Sequence, residues 1–173
     1  MTRLLPLSIL SLALAAGAAG AAEYPVGEAQ LRHGMEIAAV YLQPIEMEPA
    51  GMMALAAETD IHLEADVRAT ADNRHGYAEG DWIPNLKIDY RLTKDDGHEV
   101  AGTFMAMVAS DGPHYGDNVK LSGPGKYRLQ FTIAPDQHFG RHVDKETGVP
   151  AWPASFTVEY DFIFAGIGKK GAY

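Results

Sequence analysis

The amino-acid sequence predicts an all-β protein, an antiparallel β-sandwich, from three observations. Several stretches alternate apolar and polar residues with a period of two, which is typical of strands with one buried face. No stretch carries a sustained 3.6-residue apolar stripe with helix caps, and the best helical candidate, residues 52–58, is only about two turns long. The chain is punctuated by 18 Gly and 10 Pro, as expected for short strands joined by turns.

The clearest alternation lies in residues 59–70, where apolar residues take one face and polar residues take the other. The apolar set is Ile61, Leu63, Ala65, Val67 and Ala69, and the polar set is His62, Glu64, Asp66 and Arg68. The same pattern predicts strands at residues 86–92, 127–133 and 156–164, and an earlier stretch, residues 35–42, is expected to be another strand that ends before Pro44. Asp95-Asp96-Gly97 predicts a hairpin turn into a further strand at residues 99–109. Residues 46–58, 71–84, 110–125 and 135–155 are expected to be long loops.

Length and composition exclude several classes of protein. The 173 residues suit a single domain. The chain has 14 Lys plus Arg against 23 Asp plus Glu, a net charge of −9, and no basic cluster, which argues against a partner nucleic acid. The absence of Cys excludes disulfides, cysteine-ligated zinc, iron–sulfur clusters and blue-copper thiolate sites.

Residues 1–22 have the layout of a secretory signal peptide. Arg3 precedes a leucine-rich apolar run, and small residues follow at positions 19–22. We therefore expect one mature domain, residues 23–173, that works outside the cytoplasm. No second apolar run of about 18 residues follows, so no membrane insertion is expected after cleavage.

His62 and Glu64 form the first candidate pair of metal ligands. They lie two residues apart on a predicted strand, so both side chains leave the face opposite the apolar one, with Cβ atoms roughly 6–7 Å apart. An imidazole nitrogen and a carboxylate oxygen at that spacing can converge on one ion. The alternative is an ordinary solvated polar face.

Met105 and Met107 also lie two apart on a predicted strand, which places both thioethers on one face. Gly112-Pro113 predicts a turn that folds His114 back toward the strand end that carries Met107. A thioether with an imidazole favours copper over magnesium or calcium. The alternative is that the methionines only fill the core.

The remaining histidines and acidic residues give weaker signals. His138 and His142 lie in the predicted loop 135–155, and Gly140 argues against a helix that would align both on one ion. His33, His75 and His98 are interpreted as solvated turn residues. Glu46, Glu48 and Glu58 form an acidic stretch before His62, either plain surface or an oxygen site for a harder cation such as iron. No nucleophile elbow, P-loop or zinc-protease motif occurs.

Three strings in the sequence resemble a known family. They are IHLEAD at residues 61–66, FMAM at 104–107 leading into ASDGPHYG at 109–116, and HVDKETGV at 142–149. Together they resemble the periplasmic iron-transport proteins of Gram-negative bacteria, the copper-binding P19-like type encoded beside high-affinity iron permeases. The resemblance extends over about residues 35–166, nearly the whole mature chain.

The resemblance implies an immunoglobulin-like sandwich that forms a homodimer in the periplasm and is not an enzyme. It assigns copper to five residues: His62, Glu64, Met107, His114 and His142. His138 has no counterpart in the family strings, and Met105 competes with Met107 for the thioether role. Iron would be bound near the copper and passed to an inner-membrane permease, with a redox step on iron as a family-level suggestion. Ala106-Met107-Val108 departs from a Pro-Met-Asn-like family segment.

Other functions stay open from the sequence. A periplasmic copper carrier or buffer would use the same ligands without any role in iron transport, and a structural sandwich would bind no metal. A copper–zinc dismutase fits less well, because it needs more histidines around a bridging imidazole and commonly carries a disulfide. For any imidazole site, metal binding should weaken as the pH falls toward the ordinary histidine pKa of about 6.5.

Overall fold

A computed structural model describes residues 23–167, which form two antiparallel sheets. In chain order the strands are β1 Tyr24–Pro25, β2 Gln30–Arg32, β3 Met35–Leu42, β4 Ile61–Ala69, β5 Leu86–Lys94, β6 Glu99–Thr103, β7 Met105–Ala109, β8 Gly112–Val119, β9 Gly125–Pro135 and β10 Phe156–Phe164. The prediction of an all-β, immunoglobulin-like antiparallel sandwich is confirmed. The expected signal peptide, residues 1–22, lies outside the described residues.

The first sheet, sheet A, has the strand order β1-β3-β4-β8-β7, with β2 also paired to β3. The second, sheet B, has the order β10-β9-β5-β6. Within residues 23–167 there is no helix with the length and apolar character of a membrane span. The helical candidate at 52–58 contains only a short 3-10 turn, Ala56–Glu58.

The core lies between the inner faces of the two sheets. The apolar set of β4 is at most 3% exposed, and the facing residues of sheet B are equally buried: Ile88, Leu92, Leu129, Phe131 and Ile133. Full burial of each such side chain stabilises the fold by roughly 1.5–3 kcal/mol before the entropy of ordering is subtracted. The two sheets are therefore held together mainly by this shared apolar layer.

Tyr115 of β8 adds a polar tie between the sheets. Its buried hydroxyl donates to the carbonyl of Ile83 at 2.8 Å and accepts from the backbone N–H of Leu86, the first residue of β5, at 3.0 Å. Burial raises the pKa of this hydroxyl to about 12, so it stays protonated and able to donate.

The predicted strand 99–109 divides at Phe104 and serves both sheets. Residues before Phe104 pair with β5 in sheet B, and residues after it pair with β8 in sheet A. Phe104 itself is buried and packs on Tyr90 and Phe131. The segment therefore crosses from sheet B to sheet A at the buried side chain of Phe104, and its second half is the edge strand β7 that carries Met107.

The prediction of a loop at residues 110–125 is wrong for residues 112–119, which form strand β8 between β4 and β7. The turn lies at residues 110–111, two residues before the turn that Gly112-Pro113 predicted. Alternation failed to reveal the strand because Asp117 occupies an inward position, where it accepts a hydrogen bond from the Tyr90 hydroxyl at 2.9 Å.

We expect Tyr115→Phe to lower the free energy of unfolding by about 2 kcal/mol, because it leaves a buried N–H and a buried carbonyl without a partner. Tyr24→Phe is the matched control, since its ring stacks on Tyr41 and its hydroxyl makes no hydrogen bond within residues 23–167. Chemical denaturation of both variants measures the difference. Equal losses in the two variants would contradict the role given to the Tyr115 hydroxyl.

Candidate metal centre

The strand register brings the candidate ligands onto the outer face of sheet A. Cross-strand partners share a face, and so do residues two apart on a strand. In β4 and β8, His62 pairs with Asn118 and Glu64 pairs with Gly116, while in β7 and β8 Met107 pairs with His114. Three neighbouring strands thus place two imidazoles, one carboxyl and one thioether side by side.

His62, Glu64 and His114 are buried even though they lie on the outer face, with only 1%, 5% and 4% of their surface exposed. The solvated polar face considered from the sequence is therefore wrong for His62 and Glu64. They form the floor of a pocket of about 550 Å³. One wall is β7 at residues 106–109, and the other is the connection between β3 and β4 at residues 45–49 with Met52.

The three buried groups face one another without hydrogen bonds. Glu64 Oε1 lies 3.5 Å from His62 Nε2 and 3.4 Å from His114 Nε2, and one ligand atom from each residue falls within 4.8 Å of the others. Both Nε2 atoms are buried with no hydrogen-bond partner in the described part of the chain. Burying a polar atom without a hydrogen-bond partner costs free energy. Two such nitrogen atoms that face the same carboxyl oxygen therefore indicate a binding position for a ligand.

Gly116 makes room for the imidazole of His62. A Cβ at this position would lie 2.7 Å from His62 Nε2 and 3.2 Å from the Leu63 carbonyl oxygen. Any larger residue would therefore push against the imidazole of His62 from the neighbouring strand. On its other side, His62 Nδ1 contacts Asn118 Oδ1 at 3.0 Å.

Burial sets the protonation of the pocket. It lowers the pKa of His62 to about 4, so this imidazole is neutral and its lone pair is available across the physiological range. Burial, together with the negative charges of Asp66, Glu23 and Asp111, raises the pKa of Glu64 to about 8. Protons therefore compete with a metal for the carboxylate of Glu64 near neutral pH, a group that the sequence alone did not indicate, because it pointed to histidine.

Of the two candidate thioethers, only Met107 lines this pocket. The structure also adds Met47 and Met52, which sequence reasoning missed, and it places Glu46 and Glu48 at the same pocket while Glu58 lies outside its lining. The sequence did not indicate these two methionines, because they lie in the irregular connection between β3 and β4, where no hydrophobic periodicity predicts which way a side chain faces.

His142 is not brought together with the other four predicted ligands. It is exposed in the 136–155 loop, and its Nδ1 lies 2.8 Å from Thr147 Oγ1. The loop closes on itself here, since Val149 N–H donates to the His142 carbonyl at 3.1 Å. His138, also exposed in this loop, lies outside the pocket lining as well.

Sequence comparison relates the chain to proteins along its full length. The Fe2+ transport protein family matches residues 20–166. A UPF0423 protein of Brucella abortus (strain 2308) is 62% identical over 170 residues, covering 95% of this chain and 93% of its own length. The 34 kDa membrane antigen of Treponema pallidum is 39% identical over 155 residues, covering 85% of this chain and 76% of the antigen.

Solved structures give the same relationship. FetP of uropathogenic E. coli strain F11 has a TM-score of 0.83 and 49% identity, covering 86% of this chain and 100% of the FetP chain. Copper-reconstituted P19 of Campylobacter jejuni has a TM-score of 0.83 and 49% identity, covering 86% of this chain and 99% of the P19 chain. The family match covers residues 20–166, and the fold is shared with these solved structures over 86% of the chain. The chain therefore belongs to the Fe2+ transport protein family.

Proposed function

We propose that this protein is a periplasmic copper-binding protein that takes part in iron uptake. The observation that carries the proposal is the pair of buried, unpartnered Nε2 atoms of His62 and His114 on either side of Glu64. The family is described as an Fe2+ transport protein family, and P19, which is 49% identical to this chain, has been reconstituted with copper. A transport family also agrees with the prediction that the chain is not an enzyme.

The donor set fits copper. His62 and His114 offer two imidazole nitrogens, Met107 a soft sulfur and Glu64 an oxygen, a mixture that suits both Cu(I) and Cu(II) but not magnesium or calcium. Bound copper would supply one-electron redox chemistry at this position. The chain's own contribution is to hold the donors on three adjacent strands and to bury the two imidazoles and the carboxyl.

Iron is proposed as cargo at the mouth of the same pocket. Glu46 and Glu48 line the pocket and are exposed, so their oxygens are available to a harder cation. Nearby acidic residues and the net charge of −9 favour the approach of a cation. The iron would then pass to an inner-membrane permease.

We also propose a homodimer. The loop that carries His142 exposes Phe139 at 52% and Val143 at 74%, and large apolar side chains in such positions are suited to a protein contact. Because His142 is remote from the pocket in its own chain, it can serve as the fifth ligand by approaching from a second copy.

Copper titration of the purified mature domain tests the site. We expect about one tightly bound equivalent, and at least a tenfold loss of affinity in His114→Ala, because one nitrogen donor is removed. His98→Ala is the control, since His98 is exposed in the β5–β6 turn. Copper affinity would be followed by spectroscopic competition with a chelator. No tight binding, or the same loss in both variants, would refute the copper site.

Copper binding at pH 7 is expected to release about one proton from Glu64, because its pKa of about 8 leaves it protonated before metal arrives. Apparent affinity should rise about tenfold per pH unit below 8 and level off above it. Calorimetry in buffers of different ionisation enthalpy counts the protons. Proton release that is unchanged between pH 7 and 9, or that persists in Glu64→Gln, would contradict this assignment.

A deletion strain separates iron uptake from plain copper carriage. If the protein serves iron uptake, the strain should grow poorly when iron is limiting, and the wild-type gene should restore growth while a His114→Ala version does not. Normal growth under iron limitation with reduced copper tolerance would instead support a copper carrier or buffer.

A further inference from the structure

Asn118 is a buried polar residue of β8 that directly faces His62 on β4. Its side-chain amide makes four contacts. The oxygen Oδ1 lies 3.0 Å from His62 Nδ1 and 3.1 Å from the backbone nitrogen of Ile45. The nitrogen Nδ2 lies 2.8 Å from the carbonyl oxygen of Ile45 and 2.9 Å from that of Ala54.

The chemistry of these partners fixes the orientation of the amide. A backbone N–H can only donate and a carbonyl can only accept. Exchanging Oδ1 and Nδ2 would set a donor against the Ile45 N–H and an acceptor against two carbonyls, losing all three hydrogen bonds. Asn118 therefore presents its oxygen to His62, and both hydrogens of Nδ2 are already committed elsewhere.

This orientation decides which nitrogen of His62 carries the proton. Oδ1 is an acceptor only, so His62 Nδ1 must be the donor. In a neutral imidazole the other nitrogen then has a free lone pair. That nitrogen is Nε2, the unpartnered atom that faces Glu64 in the pocket.

We propose that Asn118 is a positioning residue that holds His62 in its Nδ1–H tautomer and, through the same amide, fixes both ends of the segment 45–54 that lines the metal pocket. The opposite tautomer would place a hydrogen on Nε2, where a metal needs the lone pair. Outer hydrogen bonds of this kind commonly change metal affinity by about 10–100-fold when they are removed.

Asn118 also holds the segment that forms one wall of the pocket. Ile45 and Ala54 bracket the segment that carries Glu46, Met47 and Met52 into the pocket lining. Each is held by the amide of Asn118, so one side chain joins the imidazole floor to this wall. A change at Asn118 therefore alters the wall and the ligand together, while Asn118→Asp should separate the two effects.

The tautomer is measured without metal, by long-range proton–nitrogen NMR of the purified protein labelled with ¹⁵N-histidine at neutral pH. His62 should show a protonated Nδ1 and an unprotonated Nε2. A proton on Nε2 in the wild-type protein would overturn the proposal. The tautomer does not rest on the proposed function, whereas its effect on copper does. A wild-type protein with the expected tautomer but no copper affinity would refute the function and support the tautomer.

Variants test the two roles separately. Asn118→Asp keeps an acceptor for His62 but loses both donors, so Nδ1 should stay protonated while hydrogen exchange across residues 45–54 becomes faster. Asn118→Ala loses both roles, so the tautomer preference should disappear and Cu(I) affinity should fall about 10–100-fold. If Asn118→Ala does not fold, the wild-type tautomer and the Asn118→Asp exchange pattern still decide.

Asn73→Ala is the matched control. Asn73 also holds backbone, donating from Nδ2 to the Gly34 carbonyl at 2.8 Å and accepting from His75 N–H at 2.9 Å. Its loss should leave the His62 tautomer and Cu(I) affinity unchanged. The proposal would be overturned if Asn73→Ala shifted the His62 tautomer as much as Asn118→Ala does. It would also be overturned if Asn118→Ala left the His62 tautomer unchanged.

Discussion

The burial of polar groups on an outer sheet face is the constraint on which this structure depends. Leaving a buried donor or acceptor unsatisfied costs about 1–3 kcal/mol, and His62 and His114 each contribute one such atom. A face of this kind is stable only because the opposite face of the same strands belongs to a continuous apolar core. The connection from β3 to β4 then covers part of the polar side, so that His62, Glu64 and His114 are at most 5% exposed.

The same burial favours the uncharged forms of the ionisable groups in the pocket. His62 is kept neutral, and the carboxyl of Glu64 holds its proton under mild conditions. Asp66, close to this carboxyl, has its own pKa raised mainly by burial. In the proposed site, a cation would displace the proton of Glu64, so the negative charge of this one donor would appear as the cation binds.

Period-two alternation was sufficient to predict β4, β5, β9 and β10, and it placed His62 and Glu64 on one face correctly. The turn predicted at Gly112-Pro113 correctly brought His114 back to Met107, but the two residues meet as partners on adjacent strands that are joined by a turn at residues 110–111. Alternation could not predict that His62 and Glu64 are buried, because their burial depends on how the connection between β3 and β4 folds over them. The position of His142 was equally inaccessible, since turn bonds within its own loop determine it, and its role came only from resemblance.

Met107 lies on the edge strand of sheet A and is only partly buried, unlike the imidazoles beside it. A thioether so placed is accessible to oxidants, and the resulting sulfoxide is polar and chiral. Such a lesion would exchange a soft sulfur donor for a hard oxygen while leaving the nitrogen donors intact. In the proposed copper site, the balance between the two copper valence states would then shift toward the cupric ion, and a sulfoxide reductase would be needed to restore the thioether.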